Sequence, residues 1–458
     1  MLAFLEPLEE LADYQEIVRK RGKAEGILQI AGCVSSQKTH LMYALGDGFE
    51  YRVIVFSSEE KAKQAYEEYK MLEENTFLYP AKDLLFYHAD IKGAALTGKR
   101  MEVLKKLTEK KNREPVTVIT TADAFLDGLP SKEKLWESRI EIEAGAVIDF
   151  QKLQEELVHL GYERESQIEG PGQFAVRGGI LDVYPLTEEI PVRIELWGDE
   201  IDSIRSFDVE SQRSVENMEQ VVIYPATENV EKEEQAVSFA EYFPKEKSLF
   251  FFDEPVRLQE TLEAVEKEYF HSFESRKNAG MTEEADEIRV FQTKEIIEKF
   301  NTRYGIGLTT LETRCGGFKV RDVYSIQAAG VNPYNNSFEM LTQDLKKLKR
   351  QGYRVILVSG SRTRAKRLAE DLRDYDLSSF YSEDMVRTVR PGEIMVVYGC
   401  VAEGYEYPML KFMVISESDI FGKRKKKRRR KVYEGQKIQE FAELKPGDYV
   451  VHENHGLG

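Results

Sequence analysis

Residues 170–214 constrain the fold more tightly than any other stretch, because they spell two strand–turn–strand units back to back: GPGQFAVRGGILDVYPL at 170–186, then PVRIELWGDEIDSIRSFDVESQRS at 191–214. In the first unit Phe174, Val176, Ile180, Leu181, Val183 and Tyr184 supply strand-forming side chains, and Gly178-Gly179 permits the positive φ of a tight reversal. In the second, Val192, Ile194 and Leu196 alternate with Arg193, Glu195 and Trp197; Gly198-Asp199 turns the chain, and Ile201, Ile204 and Phe207 return it. Period-two register sends Val192, Ile194 and Leu196 into a core and leaves Arg193, Glu195 and Trp197 facing outward together. A solvent-facing Trp beside Arg has the chemistry of an interface anchor, since both present large contact area or forked hydrogen bonding at little rotamer cost. The plainer reading is a twisted sheet whose arginines are simply solvated.

Around this β-rich block, strands alternate with helices. The pattern predicts a helix at 5–21, strand 26–30, helix 38–45, strand 51–56, helix 59–73, strand 76–79, helix 98–110 and strand 116–120. Such alternation builds a parallel, doubly wound sheet of the mononucleotide-binding type. The hairpins at about 140–223 interrupt it, and strand 248–252, helix 256–269 and strands 306–311 and 318–326 resume it. A third unit starts near Val331, with helix 337–351, strand 354–359, helix 363–373 and strands 394–397 and 412–415. A chain of 458 residues exceeds what one core fills, roughly 250–300 residues. The expected organisation is therefore multidomain α/β: an α/β domain at 1–138, an inserted β-rich α+β domain at 139–223, the rest of the first domain at 224–330, a further α/β domain at 331–422, a basic linker at 423–440 and the start of another domain at 441–458. The close of the chain on HGLG, straight after strand-like YVVH, leaves too little sequence for a core there and is read as a truncation.

Charge separates two behaviours within the molecule. The net charge is −16, yet KRKKKRRRK at 423–431 contributes nine positive charges, so the remainder carries −25. An acidic body binds phosphate backbones poorly, because that affinity comes from clustered Lys and Arg releasing counterions. The basic run can either touch nucleic acid or act as a solvated connector; the absence of interleaved aromatics favours the connector. No apolar run approaches the about 20 residues that span a bilayer, and MLAFLEPLEELADYQ opens with acids instead of a basic signal region. The expectation is a cytoplasmic protein without membrane partners. Cys33, Cys315 and Cys400 are odd in number and far apart, and the six histidines lack ligand spacing, so no metal site is expected.

The loop after the first strand, Gly32-Cys33-Val34-Ser35-Ser36-Gln37-Lys38-Thr39, follows the phosphate-binding pattern G-x-x-x-x-G-K-[ST] except that Gln37 replaces the second glycine. That position needs glycine where amides wrap closely around phosphate. Lys38 and Thr39 retain the types that hold phosphate and magnesium, and the strand LFFF at 249–252 ends in Asp253-Glu254, an acidic pair followed by Pro255. One reading is an ATPase; the other is a nucleotide fold kept for its shape, with Gly32, Gln37, Lys38, Thr39, Asp253 and Glu254 as a vestigial site. Gln37 favours the second, with no catalytic residue and no cofactor in this chain.

The strings RGGILDVYP and DEIDSIRSFD closely resemble the UvrB-like, UvrA-docking domain of bacterial transcription-repair coupling factors, and weaker similarity runs through the rest, including GDYVVHENHGLG, which looks like the opening of that family's RNA-polymerase-interacting domain. The resemblance implies a degenerate P-loop fold of the RecA/UvrB type carrying an inserted UvrA-binding domain. It implies that Arg177 in AVRGG, Arg193 in VRIEL and Trp197 meet UvrA, with Arg205 in SIRSF as a weaker addition. It further implies an ATP- and magnesium-dependent DNA translocase motor, and contacts with RNA polymerase and DNA, in domains absent from this sequence. The competing functions are an active ATP-dependent DNA-remodelling module and a nucleic-acid tether working through the basic run. Glu403 in AEGYEYP and Asp419 in ESDIFG also resemble family strings, but no chemistry follows from them.

Overall fold

The computed structural model describes residues 2–82, 84, 94–109, 114–228, 236–278, 290–383 and 386–422, and the backbone alone at 451–452 and 456–457. The basic run and linker, nearly all of 441–458, His88 and most of the acidic segment 228–234 lie outside the described residues.

Strands β1 (Gly26–Ala31), β2 (Tyr51–Phe56), β3 (Thr76–Tyr79) and β4 (Val116–Thr121) precede the β-rich block. The block holds β5 (Ile140–Glu143), β6 (Glu163–Glu165), β7 (Gln173–Arg177), β8 (Ile180–Val183), β9 (Val192–Trp197), β10 (Glu200–Phe207), β11 (Ser214–Met218) and β12 (Gln220–Ile223). After it come β13 (Ser248–Asp253), β14 (Tyr304–Thr309) and β15 (Val320–Ser325). Strands from both sides of the block build one seven-stranded parallel sheet in the order β15-β1-β14-β13-β2-β4-β3. β1, β2, β4 and β13 are buried along their whole length. This is the expected state of a parallel strand covered by helices on both faces.

β13 and β14 sit between β1 and β2, so the sheet closes only when the chain has returned from the block. Entry and exit of the block are clipped together by β5 and β12, which pair antiparallel from Ile140↔Ile223 to Glu143↔Gln220. Inside, six strands run β11-β10-β9-β8-β7-β6, antiparallel except for β6 and β7. One face, with Phe174, Leu181, Val192, Ile194, Ile201 and Ile204, packs on Leu153 and Leu157 of the Phe150–His159 helix. Asp149 starts that helix by accepting from the amides of Gln151 and Lys152.

Strands β16 (Ala329–Gly330), β17 (Arg354–Ser359), β18 (Ser379–Ser382), β19 (Ile394–Tyr398), β20 (Tyr405–Tyr407) and β21 (Phe412–Ser416) make the third domain's sheet, ordered β16-β20-β21-β17-β19-β18. The molecule is thus a multidomain α/β protein with an inserted β-rich domain. Several helix ends differ from the sequence reading. The segment predicted as helix 5–21 is broken into Leu2–Leu5, a 3-10 turn Glu6–Glu10 and Ala12–Lys20, because Pro7 lacks an amide proton and Leu11 turns out of helical geometry at ψ 121°. The helix after β13 runs on to Asn278, and the one after β1 starts at Ser35, three residues early.

The base of the inserted domain is fastened by charge. Arg100, fully buried on the Ala94–Thr108 helix, donates from Nε to both carboxylate oxygens of Glu228 at 2.9 Å, from Nη2 to Asp127 at 2.5 Å and from Nη1 to the Pro80 carbonyl at 2.8 Å, over the Tyr79 ring at 4.4 Å. Lys82 adds a 2.8 Å contact to Glu228. Burial opposes ionisation of Glu228, but Arg100 and Lys82 outweigh it and hold the carboxyl below its usual range. Arg100→Leu leaves two buried carboxylates with their main partner gone, and is expected to destabilise the chain by about 3–5 kcal/mol, read as a lowered midpoint in urea.

The first and third domains share a core. His40, fully buried, stacks on Tyr405 at 5.4 Å, donates from Nε2 to the Phe4 carbonyl at 2.9 Å and accepts from the Tyr407 hydroxyl at Nδ1, 3.0 Å. Burial pushes its pKa down to about 4 from the ordinary 6.5. The folded state refuses a proton the unfolded chain accepts, so the stabilisation is complete above pH 6.5 and is lost as pH falls toward 4. The His40-dependent part amounts to about 3 kcal/mol. His40→Phe is expected to flatten the fall in stability between pH 7 and pH 4 in denaturant titrations.

Candidate protein-docking surface and a filled P-loop

The outer face of the inserted sheet can be read in rows across the strands. One row runs Asn217, Arg205, Arg193, Asp182, Ala175; the next runs Ser203, Glu195, Ile180, Arg177. Both hairpin turns, Gly178-Gly179 and Gly198-Asp199, lie at the same end of the sheet, where Gly178 and Gly198 take φ of +62° and +65°. They are locked side by side by Leu196 donating to the Gly179 carbonyl at 2.8 Å. Trp197 stands at that end with 85% of its surface exposed, and Arg177 is exposed two strands away.

Arg193 and Arg205 are in a different state. Arg193 forms a forked pair with Asp182, Nε to Oδ1 at 2.7 Å and Nη2 to Oδ2 at 2.9 Å, donates to Gln212 at 3.0 Å and lies over the Phe207 ring at 4.4 Å. Asp182 is only 2% exposed. The hydrogen bonding to the Asp182 carboxylate is the main reason the guanidinium is held more firmly protonated than usual. Arg205 pairs with Glu195 across the β9–β10 ladder. Phe207 is not part of the inner core; with Ile168 and Ala175 it forms a small cluster apart from it. One end of the outer face is thus a sealed, internally paired patch, and the other end is open.

Sequence reasoning missed Val147. It bridges Glu200, which in turn pairs with Trp197, so Val147, Glu200 and Trp197 form one row, and Val147 is 75% exposed. Nothing in AGAVIDF by itself gives Val147 a partner; only the bridge to Glu200, next to the Gly198-Asp199 turn, sets it in the row with Trp197.

The P-loop is occupied from within. Gln37 falls inside the first turn of the Ser35–Leu45 helix and is fully buried, and its Oε1 accepts from the Val34 amide at 3.0 Å. Lys38 Nζ donates to Asp253 Oδ1 at 2.6 Å and Glu254 Oε1 at 2.7 Å, and Lys61 reaches Asp253 Oδ2 at 3.1 Å. Glu254 adopts a left-handed φ of +53°, unusual for a residue with a side chain. The amide and hydroxyl of Thr310, at 2.9 and 2.7 Å, fix its carboxylate. Burial raises the cost of its charge, but the bonds from Lys38 and Thr310 prevail and keep its pKa low. Gly32 retains a φ of +83°, and Thr39 is buried in the same helix. The structure therefore brings Lys38, Asp253 and Glu254 together, with the cation satisfied by the carboxylates that a magnesium ion would need. Among the described residues no group of His, Cys, Asp and Glu is arranged to hold a metal, and no helix is long and apolar enough to cross a membrane.

Residues 140–229 match the family model of the UvrB interaction domain, which covers the inserted sheet from β5 through β12. The chain is thus a multidomain α/β protein whose inserted sheet matches the UvrB interaction domain. Across nearly its whole length it is similar to transcription-repair-coupling factors. It is 25% identical to that of Bacillus subtilis (strain 168) over 518 aligned positions, 98% of this chain and 43% of the relative. It is 28% identical over 448 positions to those of Staphylococcus aureus strains bovine RF122 / ET3-1 and USA300, 84% of this chain and 37% of each relative. The chain spans about two-fifths of the length of the curated relatives it matches.

Because Asp182 is buried and has Arg193 as its charge partner, Arg193→Ala is expected to cost the inserted domain about 1–3 kcal/mol of stability. Trp197→Ala, at an exposed hairpin end, should stay within about 0.5 kcal/mol. Chemical denaturation of the two variants checks the contrast.

Proposed function

We propose that this chain is a docking module of transcription-coupled nucleotide excision repair, which recruits UvrA to a lesion where RNA polymerase has stalled. The observation that carries this reading is Trp197, exposed at the same end of the sheet as Arg177 on two mutually locked hairpins inside the UvrB interaction domain. Rigid hairpins present the pair with little entropy left to lose, which is what makes an aromatic and a guanidinium effective anchors. Arg177 is the cation available to a carboxylate on UvrA; Arg193 and Arg205, already paired, shape the patch and hold its strands in register. The working compartment is the cytoplasm, and RNA polymerase and DNA are partners of the longer proteins this chain resembles.

The module acts by binding, without turning over ATP. Gln37 capping its own helix and Lys38 held by Asp253 and Glu254 support this over an active ATP-dependent DNA-remodelling module. The tether reading rests on the basic run, outside the described residues, and no structural observation favours it.

Isothermal titration against UvrA tests the proposal. Arg177→Ala and Trp197→Ala are each expected to weaken binding by about 2 kcal/mol, roughly thirtyfold, with circular dichroism unchanged. Unaltered affinity in the folded double variant places the site elsewhere. In a coupled phosphate-release assay the chain is expected to give no ATP turnover above background; hydrolysis abolished by Lys38→Ala would overturn that part.

A further inference from the structure

The loop between β19 and β20, residues 399–404, lies against the N-terminal end of the Ser35–Leu45 helix, and its contacts involve the two motifs for which the sequence offered no chemistry. The Glu403 carboxylate accepts from the Ser35 hydroxyl, and the Glu403 amide donates to Ser36 Oγ at 3.2 Å. Ser36 Oγ donates in turn to Glu68 Oε1 at 2.7 Å, and the Ala402 amide donates to the same oxygen at 2.9 Å. Glu68 is buried on the Glu59–Lys70 helix of the first domain. The loop is braced from behind by Asp419, whose Oδ2 accepts from the Gly404 amide at 2.8 Å, the Ser416 amide at 2.8 Å and the Ser416 hydroxyl at 2.7 Å. A Cβ on Gly404 would stand 2.4 Å from that oxygen and 2.7 Å from the Val414 carbonyl, so only glycine allows the loop to reach this depth. His40, Tyr405 and Tyr407 close the seam with rings.

A helix N-terminus following a glycine-rich loop attracts an anion, through its unbonded amides and the positive end of the helix dipole. Here the group that arrives is a carboxylate of the same polypeptide, and it meets the first residue of the helix through the Ser35 hydroxyl. We propose that the decayed P-loop has become the docking site of the third domain, with Glu403 standing in for the phosphate and the Asp419–Gly404 brace delivering it. The first and third domains are then held in one arrangement whatever the nucleotide level, and the seated loop covers Ser36, which is buried, while Ser35 stays at the exposed rim. This inference is independent of UvrA binding, which uses the inserted sheet.

The test is hydrogen exchange by mass spectrometry on the full chain, read at the amides of Ala402, Glu403 and Gly404. Glu403→Ala and Ser35→Ala are each expected to accelerate exchange there at least tenfold, with β1 and β2 unchanged. Glu403→Gln, which keeps an acceptor without the charge, should fall between wild type and Glu403→Ala. Wild-type protection in both alanine variants would show that the loop seats without this contact and would sink the proposal. Wild-type protection in Glu403→Gln would overturn the role of the anion. If Glu403→Ala loses secondary structure, Ser35→Ala and Glu403→Gln decide alone.

Discussion

Everything in the first domain depends on bringing residue 127 and residue 228 to the same place, and Arg100 is the group that does so. A fully buried guanidinium is tolerable only when each of its forks ends on an acceptor, and here those acceptors come from separate parts of the chain: Pro80 after β3, Asp127 after β4 and Glu228 after β12. The geometry therefore specifies where the inserted domain leaves and where it returns. With that distance fixed, the returning chain supplies β13 and β14 between β1 and β2. Hydrophobic burial supplies the bulk of the driving force, but it is indifferent to connectivity; the directional ion cluster is not.

Much of this was legible from local pattern. β2, β3 and β17 coincide with the sequence reading because each is a short apolar run ended by turn chemistry, and the alternation in β9 placed Trp197 on an outward face. What remained hidden depends on partners distant in sequence. Nothing near VRIEL announces that Arg193 is paired with Asp182, because the pairing is a cross-strand register and not a spacing. For the same reason the outward alternation of β9 gives no sign that the Arg193 guanidinium is already held. The first helix was overextended because its apolar period continues through Leu11 while the backbone does not. Gln37 was recognised as damaging to phosphate binding, yet its positive role, satisfying the amide of Val34, needed the helix to start at Ser35. Glu403 and Asp419 were opaque because one acts on another domain and the other acts through a glycine.

The P-loop-like segment shows how the demands of such a loop can be met from within the chain. A helix N-terminus and a lysine are present, and each has to be answered. Asp253 and Glu254 answer the lysine, the glutamine answers an amide, and the neighbouring domain answers the helix end.

The antiparallel clip of β5 and β12 also has a mechanical meaning. Both strands leave the first domain side by side, so a pull on the inserted domain stretches them in the same direction, and the hydrogen bonds between them lie across the load and carry almost none of it. The tension passes down the two strands to the ground beneath, where Glu228 ends one path and the segment after Asp127 begins the other. Arg100 is the knot that joins these two cords, and Lys105, on the same helix, ties the block down a second time through Glu188.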